Sequence, residues 1–317
     1  MATENVGRRS GVREELTKGR KAIRKNYDLY IMMAVVVVYF LIFHYYPMYG
    51  VQIAFKDFMP GLGIAGSPWV GFKHLNRFYN SFYFWRLIRN TIGISGYSHI
   101  VGIPAPIILA VVFHELRNKR LSVVTQTFSY APNFMSTVVI AGMILIFLSP
   151  DNGLVPAIIE ALGFPRPVNI IAEPGAFWHI YVWSGVWQTV GWGSLIYVAA
   201  MSGIPNEHYE AAIIDGATQW QRIWRITIPG IMPTIVIISI LSVGNIMNVG
   251  FEKAFLLQNP MNLETSEVIS TYVYKSGILG AQYSFSAMVG LFNNVINFIV
   301  LVTVNYLAKR IGETSLW

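Results

Sequence analysis

Long apolar segments are the feature that most limits how this chain of 317 residues folds. Hydrophobic residues make up 54% of it and charged residues only 12%, which is about half the charged fraction of a soluble domain. Each segment approaches or exceeds the ~20 residues that a helix needs to cross a bilayer, where every backbone group must be hydrogen-bonded within the chain. Six such segments are predicted, at about 30–55, 91–113, 128–149, 177–200, 226–249 and 285–308. The sequence therefore predicts an all-α membrane protein with six transmembrane helices.

Lysine and arginine are unevenly distributed between the two sides of the predicted membrane. Fifteen of the 23 fall on the side of the N-terminus, eight of them before the first span, and the remaining eight fall on the other side. Because cytoplasmic connections carry the excess of Lys and Arg, both termini are predicted to be cytoplasmic. The first span is too long for the apolar part of a signal peptide, so we do not expect one. The absence of cysteine excludes a disulfide framework and a thiolate metal site.

No linker or low-complexity run interrupts the chain, so one membrane domain is expected over residues 26–310. A basic cytoplasmic tail, 1–25, precedes it and a short cytoplasmic tail, 311–317, follows. The basic tail favours contact with anionic lipid head groups over contact with nucleic acid. In the outer loops, the aromatic-rich stretch 69–85 predicts a helix lying flat at the membrane interface, and another short helix is expected around 267–274.

The cytoplasmic connection between the fourth and fifth spans combines helix-forming residues with a glycine break. Asn206 is predicted to cap a helix whose amphipathic part covers 210–214. Gly216 is the natural place for a turn, because glycine adopts left-handed backbone angles without strain. A second short helix is expected over 217–225, and Pro229 marks the return to the membrane. A small helix with alanines at its tip suits docking into a groove of a partner protein; the alternative is an ordinary inter-span helix that rests on lipid.

This connection resembles the Glu-Ala-Ala loop of permease subunits from bacterial ATP-binding-cassette (ABC) importers. The family pattern is Glu-Ala-Ala, three residues, Gly, about nine residues and then Ile-x-x-Pro, with Asp usual before the glycine. The matching residues are Glu210, Ala211, Ala212, Asp215, Gly216, Ile226 and Pro229, and Ala217 follows the glycine. Similarity to oligosaccharide-importer permeases, especially those that handle plant or algal polysaccharide fragments, also lies at Val70-Gly-Phe-Lys-His-Leu75, Arg89-Asn-Thr91, Pro132, Gly250-Phe-Glu-Lys-Ala-Phe-Leu-Leu257 and Asn305.

The resemblance covers most of the chain and implies the type I ABC importer permease fold, with a coupling helix in the loop at about 204–228. It implies that the residues matched in this loop contact a separate ATP-hydrolysing subunit. The expected partners are a homologous second permease, two ATPase subunits and an extracellular sugar-binding lipoprotein, with membrane lipid around the spans. ATP and Mg would bind the partner ATPases. No cofactor and no metal is therefore expected on this chain, which would be a non-catalytic transport subunit of a bacterial plasma membrane.

The six predicted spans contain no Asp, Glu, Lys or Arg. Ion-coupled transporters usually place such groups inside the membrane, since coupling requires a titrating or coordinating side chain. The chain also lacks the G-x-x-x-x-G-K-[ST] loop that would hold the phosphates of ATP. Both absences favour a passive subunit whose energy comes from another protein.

Neutral polar and aromatic side chains within the spans are the candidates for the cargo pathway. They are Trp187 and Gln188 in the fourth span, Asn245 and Asn248 in the fifth, and Asn293 and Asn297 in the sixth. Asn245 and Asn248 are three residues apart and are predicted to share a helix face. Amides donate and accept hydrogen bonds, which suits the hydroxyls of an uncharged sugar. The alternative is that these amides join helices to one another.

Three other functions remain open at this point. An importer permease for amino acids, peptides or phosphate would need fixed charge near its cavity. A stand-alone facilitator would move cargo without ATP and without a stable partner. A membrane-embedded enzyme would need an acid/base pair or a metal cluster near the interface, and the acidic residues of the outer loops form no such motif. The sequence does not name the sugar, its length or whether it is acidic.

Overall fold

The computed structural model describes residues 25–116 and 118–310. The basic tail up to Arg24, Arg117 and the tail 311–317 lie outside the described residues, so the predictions for the two tails rest on the sequence alone. Helices form nearly all the regular structure of the described part, and an isolated antiparallel bridge joins Lys56 to Trp69. Backbone packing divides the chain after Trp69 into two compact units.

The first unit contains one long apolar helix. This helix, α1, spans Tyr27–Phe55, with a π-helical turn at Leu41–Tyr45 and a 3-10 helical end at Tyr49–Phe55. None of its most apolar stretch is buried, so its side chains require lipid or another protein around them. A single helical turn, α2, follows at Gly63–Gly66. The structure confirms a helix at the predicted first span.

The second unit is built from longer spans and short outer-loop helices. Within the described residues they are α3 Lys73–Tyr79, α4 Phe84–Glu115, α5 Lys119–Tyr130, α6 Thr137–Phe147, α7 Leu154–Ala161, α8 Pro174–Ser202, α9 Asn206–Ile214, α10 Gln219–Val243, α11 Phe251–Leu257, α12 Leu263–Ser266, α13 Ile269–Tyr274 and α14 Tyr283–Arg310. The helix predicted around 267–274 is confirmed by α13. A helix, α3, also lies in the aromatic segment 69–85.

Four helices of the described chain, α1, α4, α10 and α14, are long and apolar enough to cross a membrane. The bent pair Arg120–Phe134 and Thr137–Phe147, whose halves meet at 98°, makes a fifth if it is one span. The predicted fourth span is the 29-residue helix α8. It is long enough at ~1.5 Å per residue, but its tryptophans, tyrosines, glycines and serines make it less apolar. The described part of the structure is therefore all-helical with four or five clearly apolar spans, and the full count of six stays a prediction.

Three predicted spans have different limits in the structure. The second begins at Phe84, earlier than predicted, because this ring is buried in the core and extends the helix outward. The third is not one helix, since Pro132 lacks the N–H that would continue α5 and Ser136 caps α6 in a new direction. The fifth ends at Val243, and residues 244–250 are not helical.

Two features pack the spans of the second unit closely. Buried apolar side chains form one cluster of Phe78, Phe84, Leu87, Met247, Ile269, Phe285 and Val289, and another of Ala110, Tyr197, Met201 and Ile231. Where α8 crosses the end of α5, a Cβ atom on Gly191 would lie 1.9 Å from the carbonyl oxygen of Ser129. Only glycine fits this crossing, because the obstacle is backbone that cannot rotate away. These contacts place α8 and α10 beside α4 and α14, where the candidate sites lie.

Candidate functional site

The predicted coupling loop forms two helices joined by a tight turn. The first, α9, starts one residue earlier than predicted, because Pro205 takes the extended cap conformation (ψ 133°) and Asn206 is already helical. The prediction of Asn206 as the cap is therefore wrong. Gly216 adopts a φ of +76°, in the left-handed region, as predicted for the turn. Thr218 and Gln221 then form a capping box that starts α10.

The second helix of the loop continues into the membrane span without a break. A helix is confirmed from Gln219 of the predicted range 217–225, but it is not short, because α10 runs unbroken to Val243, and Pro229 as the return to the membrane stays a prediction. A π-helical turn at Ile223–Thr227 lies just before the proline. Proline has no N–H to donate to the preceding turn, and the wider π turn accommodates this loss. A displacement of the loop is therefore carried directly into the span.

The coupling loop presents an exposed and partly apolar surface. No side chain of α9 is buried. Of the predicted coupling residues, the exposed ones are Glu210, Ala211, Asp215, Gly216 and Pro229, and the half-covered ones are Ala212, Ala217 and Ile226. Ile214, Trp220 and Trp224 are 86%, 71% and 65% exposed. Large apolar side chains left exposed beside a polar loop are typical of a protein–protein contact surface.

Two hydrogen bonds anchor the loop to the membrane helices. The Tyr209 hydroxyl lies 3.1 Å from the hydroxyl of Thr227, which is fully buried in the π turn of α10. Gln219 Nε2 donates to Glu115 Oε2 at 2.7 Å, joining the start of α10 to the end of α4. The sequence carries no local signal for these contacts, because the paired polar side chains are 18 and 104 positions apart.

A polar cavity of ≈ 340 Å³ separates the loop from the end of α4. Glu115, Glu210 and Arg222 are among its lining residues. The Nε of Arg222 is buried and has no hydrogen-bond partner among the described residues. The glutamate of the Glu-Ala-Ala pattern thus borders this cavity as well as the exposed surface.

Three predicted pathway residues form a chain of amide hydrogen bonds. Asn293 of α14 donates to the Oδ1 of Asn248 at 3.1 Å, and Asn248 donates to the Oδ1 of Asn245 at 3.2 Å. Asn245 in turn donates to the carbonyl oxygen of Leu241 near the end of α10, at 3.1 Å. The chain links α14 to the end of α10 through side chains that also bond well to sugar hydroxyls.

The segment 244–250, between α10 and α11, is unwound. The prediction that Asn245 and Asn248 share a helix face is therefore wrong, because α10 ends before them. The side chain of Asn297 supports the segment by accepting the Met247 N–H on its Oδ1 at 2.8 Å. Irregular backbone at membrane depth is tolerated only where it is buried in protein or lines a water-filled cavity. The unwound segment and the asparagines thus form one site. We call it the asparagine site; its side chains are those of Asn245, Asn248, Asn293 and Asn297.

Two amide atoms of α14 have no hydrogen-bond partner among the described residues. They are Asn293 Oδ1 and Asn297 Nδ2, in side chains that are 9% and 8% exposed. The two residues are four positions apart and share a helix face. One atom is an acceptor and the other a donor, so the pair matches the two hydrogen-bonding capacities of a hydroxyl group. Leaving such atoms unpaired costs free energy, which a hydroxylated ligand would recover.

Trp187 and Gln188 belong to a different surface. Gln188 Nε2 donates to the carbonyl oxygen of Met135 at 3.2 Å. Trp187 lines an apolar cavity of ≈ 280 Å³ together with apolar side chains of α6. The described contacts of these two residues are thus with the segment 135–147, and the structure does not join them to the asparagines.

Comparison with known proteins agrees with this architecture. Residues 102–313 match the family described as binding-protein-dependent transport system inner membrane component. The chain is 36% identical to Protein LplB of Bacillus subtilis (strain 168), over 93% of each chain. It is 37% identical to the polygalacturonan/rhamnogalacturonan transport system permease protein YteP of the same organism, over 94% of this chain and 92% of that one.

A solved structure extends the similarity to the whole fold. It is the crystal structure of a bacterial alginate ABC transporter in complex with an alginate pentasaccharide-bound periplasmic protein, and the matching chain has a TM-score of 0.86 at 38% identity. The match covers 93% of this chain and 99% of that one. The helices therefore adopt the type I ABC importer permease fold in an inner membrane protein. The chain belongs to the family of binding-protein-dependent transport system inner membrane components.

Proposed function

We propose that this chain is one permease subunit of an ATP-driven importer for oligosaccharides that an extracellular binding protein delivers. The observation that carries the proposal is similarity over more than nine-tenths of the chain to a permease named for polygalacturonan and rhamnogalacturonan transport and to an alginate transporter. The family itself is defined by dependence on a binding protein. Cargo of this kind is large, hydroxylated and delivered from outside.

The proposed partners are a homologous second permease, two ATPase subunits and a sugar-binding lipoprotein. The exposed apolar tip of the coupling loop, with Trp220 and Trp224, supports the contact with an ATPase. ATP and Mg then bind the ATPases, and this chain is non-catalytic. The uneven Lys and Arg distribution supports cytoplasmic termini, which places α9 on the ATPase side. One membrane domain over residues 26–310 completes the proposal.

The cargo pathway that we propose runs past the unwound segment 244–250. Three observations support it: the amide chain from Asn293 to Asn245, the unpaired buried atoms on Asn293 and Asn297, and the non-helical backbone beside them. A sugar hydroxyl that bonds to both unpaired atoms would relieve their cost. The proposed sites for ATPase coupling and for cargo thus lie at opposite ends of α10.

Charge reversal in the coupling loop tests the first half of the proposal. In cells that depend on this importer, Glu210→Lys should abolish uptake of labelled oligosaccharides, because the ATPase contact is lost while the membrane helices remain intact. Glu207→Lys makes the same charge change on an exposed residue one turn earlier in α9 and is the matched control, with uptake within about twofold of wild type. Immunoblots of membrane fractions check that each variant is inserted.

The cargo panel decides the second half. Uptake is measured for oligosaccharides of graded length, neutral and acidic, in wild-type cells and in cells lacking this chain. Loss of one sugar class upon deletion supports the proposal. Unchanged sugar uptake together with loss of amino-acid or peptide uptake would overturn it. Normal uptake by Glu210→Lys would remove the coupling role from the loop while leaving the cargo assignment intact.

A further inference from the structure

One cation of the second unit is buried beside the proposed pathway. Lys253 lies in α11, directly after the unwound segment 244–250, and is only 7% exposed. Its Nζ donates to the carbonyl oxygen of Tyr181 on α8 at 2.9 Å and lies 5.0 Å from the centre of the Tyr181 ring. The amine also reaches α8 at Gly185, where a Cβ atom would lie 3.4 Å from the Nζ. Lys253 therefore joins α11, which directly follows the unwound segment in the chain, to α8.

The positive charge of Lys253 has no carboxylate to balance it. No carboxylate of the described residues lies within ion-pairing distance of its Nζ, and the neighbouring Glu252 is exposed. Within the part of the chain that the structure describes, its one direct acceptor is the Tyr181 carbonyl, which also accepts from the Ser184 hydroxyl at 3.2 Å. A carbonyl dipole and an aromatic face offset only part of the cost of burying a charge.

Another buried charge in the same unit shows what full compensation requires. Glu267 is 6% exposed, and its carboxylate contacts both the Arg86 guanidinium and the Nζ of Lys275, the latter at 3.3 Å. Glu267 thus has two counter-charges, and Lys253 has none. A charge kept in a buried place without a partner is typical of a functional site, where the missing partner is a ligand.

The amine is nevertheless largely protonated at neutral pH. Burial lowers the pKa of Lys253 to about 8, still above 7. The ammonium group has three N–H donors, of which the Tyr181 carbonyl takes one. Two donors and one full positive charge are therefore left for an incoming group.

We propose that Lys253 is a specificity-determining contact for the carboxylate of an acidic oligosaccharide, one built from uronic acid units. The inference rests on the proposed function and names its cargo class. A uronate carries both a carboxylate and ring hydroxyls, so the ammonium group suits the carboxylate of a cargo whose hydroxyls bond to the amides of Asn245 and Asn248. When the outer end of the pathway opens, the charge that is uncompensated in this structure receives its counter-ion from the cargo.

The test uses the complete importer, with its partner subunits and binding protein, in proteoliposomes. ATP-driven uptake is measured for a uronate oligosaccharide and for the same oligosaccharide with its carboxyl groups reduced to alcohols. Lys253→Met keeps the length of the side chain and removes the charge. We expect it to lower uptake of the acidic sugar by at least about tenfold, the size of a lost charge-assisted hydrogen bond, and to leave the reduced sugar within twofold.

The matched control is Lys73→Met, which removes a positive charge from an exposed residue of α3. It should leave uptake of both sugars unchanged, which separates the local contact from general attraction of anions to a basic surface. Basal ATP hydrolysis and complex yield are measured for each variant to detect misassembly. Equal loss of both sugars in Lys253→Met, or no loss of either, would overturn the proposal. Transport of neither sugar by the wild type would instead contradict the proposed function.

Discussion

The coupling loop and the asparagine site use polar residues in opposite ways. The loop is continuous in sequence, exposed on its outer face, and joined to its neighbours by a few hydrogen bonds such as the one from Tyr209 to Thr227. The asparagine site is assembled from the end of α10, the unwound segment and α14, and it combines the buried amides of Asn293 and Asn297 with the exposed amides of Asn245 and Asn248. An exposed local surface suits contact with another protein, whereas buried amides suit a ligand that enters the membrane part.

The helix α10 connects the two sites, because it begins in the coupling loop and ends where the unwound segment begins. The helix starts in the coupling loop at Gln219 and ends at Val243, immediately before the unwound segment. The helix has 25 residues and rises ~1.5 Å per residue, so a displacement of one end is carried along its whole length to the other end. In the proposed coupling, motion imposed on the loop would reach the asparagines along this one helix, whose irregular points are the π turn at Ile223–Thr227 and Pro233.

The largest effect is expected at Asn297. Asn297→Leu removes the acceptor of the buried Met247 N–H and the unpaired Nδ2 donor together. An unsatisfied buried N–H costs ~1–3 kcal/mol, so oligosaccharide uptake should fall about tenfold or more while ATP binding to the partner subunits is unchanged. Uptake and nucleotide affinity of the reconstituted importer measure the two quantities.

The matched control for this change lies three residues earlier on α14. Asn294 is exposed on the same helix, so Asn294→Leu should leave uptake within twofold. A tenfold loss in Asn294→Leu as well would mean that α14 tolerates no apolar residue there, and it would remove the asparagine site from the pathway. Membrane levels of both variants should match wild type.

The sequence predicted the coupling loop better than the cargo site for a physical reason. The left-handed turn follows from one residue, Gly216, whose backbone freedom no neighbour can supply. The end of α10 follows from distant contacts, because Met247 N–H bonds to a side chain 50 positions away. A local signal was nevertheless present: Gly244 and Gly250 bracket two asparagines, which is turn chemistry inside an apolar run.

Other differences have similar causes. The bend of the third predicted span follows from two local features together, Pro132 and the cap at Ser136, whereas hydropathy alone predicts a straight helix. The predicted spans contain no charged residue, but a charged residue outside them belongs to the pathway that we propose. Lys253 lies outside every predicted span, and its four-carbon stem brings the ammonium group to α8.

An intermediate effect is expected at the anchor of the loop. Tyr209→Phe removes the hydroxyl that contacts Thr227 and should loosen α9 from α10 without altering the asparagines. One hydrogen bond is worth ~1 kcal/mol, so the sugar transported per ATP hydrolysed should fall about fivefold at unchanged cargo affinity. Thr227→Val should have the same effect, and the double variant should be no worse than either single one. Additive losses would show that the two hydroxyls act separately.

The smallest effect is expected at Trp187, which the sequence placed on the pathway. In the structure this ring lines an apolar cavity with α6, and its contacts do not include the asparagines. Trp187→Leu keeps an apolar but smaller side chain and removes the aromatic face; because Trp187 is half exposed, a packing role predicts less than about a twofold change in the sugar concentration for half-maximal uptake. A ring that stacks on a sugar would lose ~1 kcal/mol or more, a change of at least about fivefold in the same measurement. A fivefold change would therefore extend the cargo surface from the asparagines to α8, and an unchanged value would confine it to the region where α10 unwinds beside α14.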